Sequence, residues 1–159
     1  MPAETSFPTY SIAGNSFGYL GRPLRNDASA ADVAVVGVPY DMGTSGRAGT
    51  RHGPQGIRMA SSNLRWEEKR WPWRFNLSDR LEIVDCGDLA FPPGESERMV
   101  DALEQVVASH LEAGRHVLTF GGDHFITLPL LRAHSRFRGG PVRMIHFDAP
   151  TDHEATEES

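Results

Sequence analysis

Four short apolar runs along the chain have the composition of β-strands. They cover residues 33–38, 81–85, 116–120 and 142–147. The first is a continuous run of β-branched and small residues, which is typical of a strand buried on both faces of a parallel sheet. Gly87 is expected to end the second strand, as the Gly121–Gly122 pair is expected to end the third.

Helical periodicity separates these strands. The clearest helix is predicted over residues 96–113, followed by Gly114 in the position of a C-terminal cap glycine. Its apolar positions at helical spacing are Val100, Leu103, Val107 and Leu111. Shorter helices are predicted from Gly53 to about Asn63 and from about 126 to 134. Strands that alternate with helices in this order predict an α/β domain built on a parallel sheet.

Composition narrows the class of protein without indicating a function. The chain has 159 residues, of which 39% are hydrophobic and 23% are charged, as in an ordinary globular domain. Its net charge of −5 and the lack of a Lys/Arg run argue against a nucleic-acid or anionic membrane partner. No signal-like segment, no span-length apolar run and a lone cysteine favour the cytoplasm.

The candidate domain organisation has three parts. Residues 1–30 are expected to form an irregular arm whose aromatic side chains pack on the domain, residues 31–152 the domain itself, and residues 153–159 an acidic tail. The arm contains scattered Pro, Gly, Ser and Asn, and the tail has no hydrophobic pattern. No linker divides the middle part.

Two polar clusters follow predicted strands and carry the candidate chemistry. Gly121-Gly-Asp-His124 follows the third strand, and Asp148-Ala-Pro-Thr-Asp152 follows the fourth. The carboxyl ends of parallel strands share the edge at which α/β sheets bind ligands, so both clusters could face one cleft. One imidazole and two carboxylates, from His124, Asp148 and Asp152, suit Mn²⁺ or, less often, Zn²⁺.

Ordinary structural roles remain open for the same residues. An Asp-His pair after a glycine turn is also typical of a helix N-cap, and an Asp-x-x-x-Asp segment of a solvated loop. Asp123 is interpreted as orienting its loop through backbone hydrogen bonds and so supporting the site. Arg47 and Arg51 could bind an anion, although ion pairing within the protein is favoured. The other histidines are interpreted as structural: His52, His110, His116, His134 and His146.

These segments together resemble the ureohydrolase family of arginases, agmatinases and related amidinohydrolases. GGDHFITLPLLRAH (121–134) is similar to the first metal motif of the family. HFDAPTD (146–152) resembles the second, Asp-Ala-His-x-Asp, with Pro150 in the position of the histidine. GVPYDMGTSGRAGTRHGPQGIR (37–58) is similar to the family's early loop and helix. The stretches SFGYL (16–20), NLRWEEKRWPW (63–73) and VDCGDL (84–89) look like agmatinases in particular.

The resemblance, which covers about residues 14–152, implies a fold, a cofactor and a reaction. The implied fold is a three-layer α/β/α, arginase-like domain, and the implied cofactor is a pair of Mn²⁺ ions held in part by His124, Asp148 and Asp152. A metal-activated water would hydrolyse the small guanidino substrate agmatine to putrescine and urea. A homo-oligomer is also implied. Arginase or guanidinobutyrase activity is the alternative within the family.

Departures from the family pattern lead us to expect that the 159-residue chain is inactive or nearly so. Proline at 150 has no side-chain donor atom, and the later Asp-x-Asp ligand pair and proton-transfer histidine of the family are not found. The chain is therefore interpreted as a truncated, N-terminal half of such a domain, with an unpaired sheet edge. A non-catalytic fragment or an interaction protein is the alternative from a different class.

Overall fold

The computed structural model describes residues 10–11, 17–66, 69, 72 and 74–147. Its sheet has four strands in the order β1-β3-β2-β4. They are β1 Tyr10–Ser11, β2 Val33–Val38, β3 Ile83–Leu89 and β4 His116–Gly121. β2 pairs in parallel with β3 and with β4, whereas the two-residue β1 pairs antiparallel to β3. The predicted parallel sheet is confirmed, and β1 is an addition that the sequence pattern does not indicate.

Helices cover both faces of the sheet, giving the predicted α/β/α layers. α1 Gly53–Ser62 packs on one face, and α2 Ser96–Glu112 and α3 Thr127–Arg138 pack together on the other. All three predicted helices are confirmed. Gly114 follows α2 with a φ of 74°, as predicted for its cap. Among the described residues, no helix is both long and apolar enough to cross a membrane.

The main hydrophobic core lies between the sheet and the α2–α3 pair. Alternate residues of β2 face it, and the regularly spaced apolar residues of α2 meet them. Its fully buried members include Ala34, Val36, Val38, Cys86, Met99, Leu103 and Val107. Each buried valine or leucine side chain contributes about 1.5–3 kcal/mol. This core holds β2, β3 and the strand-to-helix connections in fixed relative positions.

The opposite face of the sheet buries an ion network beneath α1. Arg58, 1% exposed, donates from Nε to Asp85 Oδ2 at 2.8 Å and from Nη2 to Asp85 Oδ1 at 2.9 Å. It also donates to Gly87 O at 2.9 Å and to Asp88 Oδ1 at 2.5 Å. The Tyr19 amide donates to Asp85 Oδ2 at 2.7 Å. One guanidinium therefore joins α1, β3 and the segment that contains Tyr19.

The expected arm packs against this face where the structure describes it. The Tyr19 ring lies edge-on to Phe120, with ring centroids 5.0 Å apart. The Leu20 amide donates to Ser61 Oγ at 2.9 Å. These contacts place Tyr19 and Leu20 against the face of the sheet that α1 covers, while the arm 1–30 as a unit stays a prediction.

Gly87 does not end β3, contrary to the expectation from sequence. The strand continues to Leu89, and Gly87 has a φ of 84° within it. The register with β2 shifts at this point, between Val35 and Gly37. Glycine adopts positive φ at little cost, so it permits an irregularity here instead of terminating the strand.

Residues 142–147 do not form the predicted fourth parallel strand. The segment from 141 to 147 has no regular secondary structure, and Ile145 and Phe147 are 83% and 93% exposed. An alternating or apolar pattern favours extended chain, but a strand also requires a hydrogen-bonded neighbour and a covered face. Nothing in the described part of the chain covers these side chains, so the prediction is wrong for this structure.

The direction of strand order reverses between β2 and β4. From β2 the chain passes through α1 to β3 on one side, and then through α2 to β4 on the other side of β2. The connections after β2 and β4 consequently lead to helices on opposite faces of the sheet. Such a reversal of strand order is where open α/β sheets bind ligands.

Candidate functional site

The loops that follow β2 and β4 cross in close backbone contact. The Gly122 amide donates to Val38 O at 3.0 Å, and the Asp123 amide donates to Tyr40 O at 2.8 Å. A Cβ atom at position 122 would lie 1.9 Å from Tyr40 O. Only glycine fits there, which gives the Gly-Gly pair of the motif a steric reason.

Asp123 uses both carboxylate oxygens to bind backbone amides. Oδ2 accepts from the Gly43 amide at 2.6 Å, and Oδ1 accepts from the Phe125 amide at 3.0 Å. The second bond caps the 3-10 turn His124–Ile126, and the first ties this turn to the Gly-rich loop after β2. Asp123 is buried and therefore positions His124 from behind. Its contribution to metal binding stays a prediction.

Removing the Asp123 carboxylate should loosen this turn. We expect Asp123→Ala to lower the free energy of unfolding by about 1–3 kcal/mol, because two backbone amides lose a charged acceptor. Chemical denaturation measures the loss. Asp101→Ala, at an exposed site on α2, is the matched control and should change stability by less than about 0.5 kcal/mol. Equal losses in the two variants would rule out the positioning role.

An ion pair closes the Gly-rich loop that follows β2. Asp41 Oδ2 accepts from the Gly49 amide at 2.9 Å and from Arg51 Nε at 2.8 Å. Arg51 Nη2 lies 2.6 Å from Asp41 Oδ1. The hydrogen bond from Arg51 is the main reason that the pKa of Asp41 falls from 3.8 to about 2. Arg51 therefore serves in an internal ion pair, as the favoured interpretation of the sequence had it.

The closure of this loop should weaken in acid. Because the pKa of Asp41 is lowered on folding, its contribution is fully present above about 3.8 and is lost as the pH falls through about 2. We expect the Gly49 amide to lose protection from hydrogen exchange across that window. In Asp41→Asn, protection of Gly49 should already be low at pH 5 and should change little. Protection in the parent chain that is constant down to pH 2 would contradict this.

His124 is the one predicted metal ligand within the described residues. It begins the 3-10 turn after β4, and its side chain is exposed at the sheet edge. Its ring lies 5.1 Å from that of His146, centroid to centroid, with 26° between the planes. The segment leading to Asp148 thus passes directly beside His124.

The remaining predicted ligands lie outside the described part of the chain. The structure does not describe Asp148, Pro150, Asp152 or the tail 153–159. Within the residues that the structure does describe, no three His, Cys, Asp or Glu side chains are grouped to hold a metal ion. The exposed imidazole of His124, beside the segment that leads to Asp148, is chemically suited to bind Mn²⁺ together with carboxylates. That His124, Asp148 and Asp152 converge on one metal stays a prediction.

Sequence reasoning did not anticipate two features of the site. The sequence favours an ion pair for Arg51 but does not identify its partner, because Asp41 stands ten positions earlier in an irregular loop. His146 was interpreted as structural, although it contacts His124.

Known proteins show similarity throughout this region. The Proteus mirabilis agmatinase is 54% identical over 144 residues, which are 89% of this chain and 47% of that protein. A hypothetical agmatinase from Burkholderia thailandensis superposes with a TM-score of 0.78 and 38% identity, over 83% of this chain and 41% of that one. The chain spans about half the length of the curated relatives it matches.

More distant members extend the similarity beyond agmatinases. The Trypanosoma cruzi formiminoglutamase, solved with Mn²⁺, superposes with a TM-score of 0.61 and 26% identity, over 71% of this chain and 38% of that one. The model of the arginase family matches residues 31–159, which is most of the chain. The sheet, its layers and the motif after β4 agree with that match, and the chain belongs to the arginase family.

Proposed function

We propose that the function of this protein is metal-dependent hydrolysis of agmatine to putrescine and urea. One observation carries the proposal from the structure: the segment that leads to Asp148 lies against His124 at the carboxyl ends of the strands. The substrate follows from agmatinases that are about half identical to this chain. Because the chain covers only about half of those proteins, the activity belongs to the proposal.

In this proposal the chain contributes three donors and the framework that holds them. His124, Asp148 and Asp152 would hold Mn²⁺, a metal that a related formiminoglutamase contains. Bound divalent ions would supply a water of lowered pKa, so that hydroxide is available near neutral pH. Asp123 fixes the turn of His124. The Asp41–Arg51 pair holds the Gly-rich loop after β2, which would limit the movement of this loop beside the site.

Pro150 should weaken metal binding in this chain. A pyrrolidine ring offers no donor atom, and even changes in residues that only support ligands cost about 10–100-fold in affinity or activity. We therefore expect weak Mn²⁺ binding and turnover at or near background. Pro150→His should bind Mn²⁺ at least about 10-fold more tightly, as measured by electron paramagnetic resonance titration. Equal affinities would count against the ligand assignment.

The substrate can be tested even where turnover is low. The Mn²⁺-loaded Pro150→His chain is mixed in turn with agmatine, arginine and 4-guanidinobutyrate, and paramagnetic broadening of each ligand's proton signals is recorded. We expect the strongest broadening for agmatine, with urea release followed in parallel. Stronger broadening of either other compound would favour the corresponding alternative in the family. Complete failure of both chains to bind Mn²⁺ would overturn the proposed function.

A non-catalytic interaction role is the second candidate. It is favoured by exposed apolar side chains near the β4 edge and in the segment after α3, among them Leu118, Ile145 and Phe147. Sedimentation analysis tests it together with the expected homo-oligomer. Defined self-association without Mn²⁺ binding would favour this role. The cytoplasmic location is part of the main proposal, in keeping with a chain whose single cysteine, Cys86, is buried.

A further inference from the structure

Two exposed imidazoles meet at the sheet edge although they belong to different segments. His124 begins the turn after β4, and His146 lies in the irregular segment 141–147. Their ring centroids are 5.1 Å apart and their planes are 26° from parallel. The Asp123 carboxylate holds the loop of His124, so the backbone from which this ring extends is fixed. His146 stands on backbone without regular secondary structure.

We infer that His146 is a metal donor that, with His124, forms a two-imidazole site for a divalent transition metal such as Zn²⁺ or Ni²⁺. A Zn–N bond is ~2.0–2.1 Å long, so two nitrogens on one metal are at most ~4.2 Å apart. The ring centroids are 5.1 Å apart, so both side chains would rotate for one nitrogen of each ring to face a shared metal. No rearrangement of the sheet is needed.

The inference deepens the proposed function and rests on it, because both place a metal at His124. Pro150 leaves the proposed site one imidazole short, and His146 would provide the second imidazole from four positions earlier. The consequence is a change in metal preference. Imidazole suits Zn²⁺, Cu²⁺ and Ni²⁺, whereas carboxylate-rich sites suit Mn²⁺. Any nitrogen and oxygen site binds Zn²⁺ and Ni²⁺ more tightly than Mn²⁺, and the second imidazole should widen that difference.

Calorimetric titration of the untagged chain with Zn²⁺ and Ni²⁺ tests the pair. We expect His146→Gln and His124→Gln each to weaken binding at least about 10-fold. His116→Gln is the matched control, because His116 is also exposed and lies at the opposite end of β4. It should bind as the parent chain does. Parent-like affinity in His146→Gln, with binding lost in His124→Gln, would overturn the inference.

A spectroscopic count of nitrogen donors supplies a second readout. Cu²⁺ bound to the parent chain should show superhyperfine coupling to two imidazole nitrogens, and His146→Gln should show one. Two nitrogens in both would exclude His146. Because His146 is exposed, its replacement should leave the circular dichroism spectrum unchanged.

Asp148→Asn separates this inference from the proposed function. If Asp148→Asn weakens Mn²⁺ binding while His146→Gln leaves Zn²⁺ binding unchanged, the proposed function stands and the inference fails. If Zn²⁺ binding depends on both histidines while Asp148→Asn has no effect on Mn²⁺ binding, the inference stands and the proposed ligand set fails.

Discussion

Replacing Arg58 by methionine is expected to lower the free energy of unfolding by about 3–5 kcal/mol. The guanidinium is 1% exposed, and it pairs with the fully buried Asp85 and with Asp88. Without it, the Asp85 carboxylate stays in the interior with no opposing charge. Urea denaturation followed by circular dichroism measures the loss.

Controls distinguish charge pairing from simple loss of packing at this position. Arg98→Met removes an exposed arginine, 72% accessible, from a surface pair with Glu95, and it should cost less than about 1 kcal/mol. Adding Asp85→Asn to Arg58→Met should recover part of the stability, because the unpaired charge is then gone. If the double variant is instead less stable than Arg58→Met, the loss of charge pairing is not the cause of the destabilisation.

Replacing Gly122 by alanine is expected to cost about 3 kcal/mol and to separate the loops that follow β2 and β4. The added Cβ would lie 1.9 Å from Tyr40 O and 2.9 Å from Tyr40 N, so the backbones after β2 and β4 must separate. The hydrogen bonds from the Gly122 and Asp123 amides hold these backbones together and would lengthen. The turn that presents His124 then loses its support.

Thermal unfolding measures the stability lost in Gly122→Ala. Proton cross-relaxation between the rings of His124 and His146, measured by nuclear magnetic resonance, reports whether the turn has shifted. Gly56→Ala is the control, because nothing lies within 4 Å of a Cβ at that exposed position in α1. Alanine in the helix interior should stabilise the chain by about 0.5–1 kcal/mol. A stable Gly122→Ala chain with an unchanged ring contact would show that the loops are not held by this close approach.

Local patterns were sufficient for the elements whose side chains enter the core. β2 has the predicted bounds, and α2 ends within one residue of its prediction. Both follow from the spacing of apolar residues within a single segment, which determines which side chains can be buried. Prediction failed where a residue has two local uses. Gly87 can end a strand or allow an irregularity inside it, and the register with β2 selects the second. The extended pattern of 142–147 lacked the paired, covered surroundings that a strand requires.

For the site, sequence spacing was enough to place Gly-Gly-Asp-His at the carboxyl end of a parallel strand, whereas its contact with the loop after β2 is known only from the structure. That inference works because parallel strands align their carboxyl ends at one edge. Tertiary packing was needed to assign the two oxygens of Asp123, one of which binds Gly43 from 80 positions away. The same holds for Arg58 and Asp85, which are 27 positions apart, and for the contact of His124 with His146. Such pairings depend on how loops and helices cross in space, which residue spacing along one segment does not encode, whereas the strand and helix types depend on local periodicity and could be read directly.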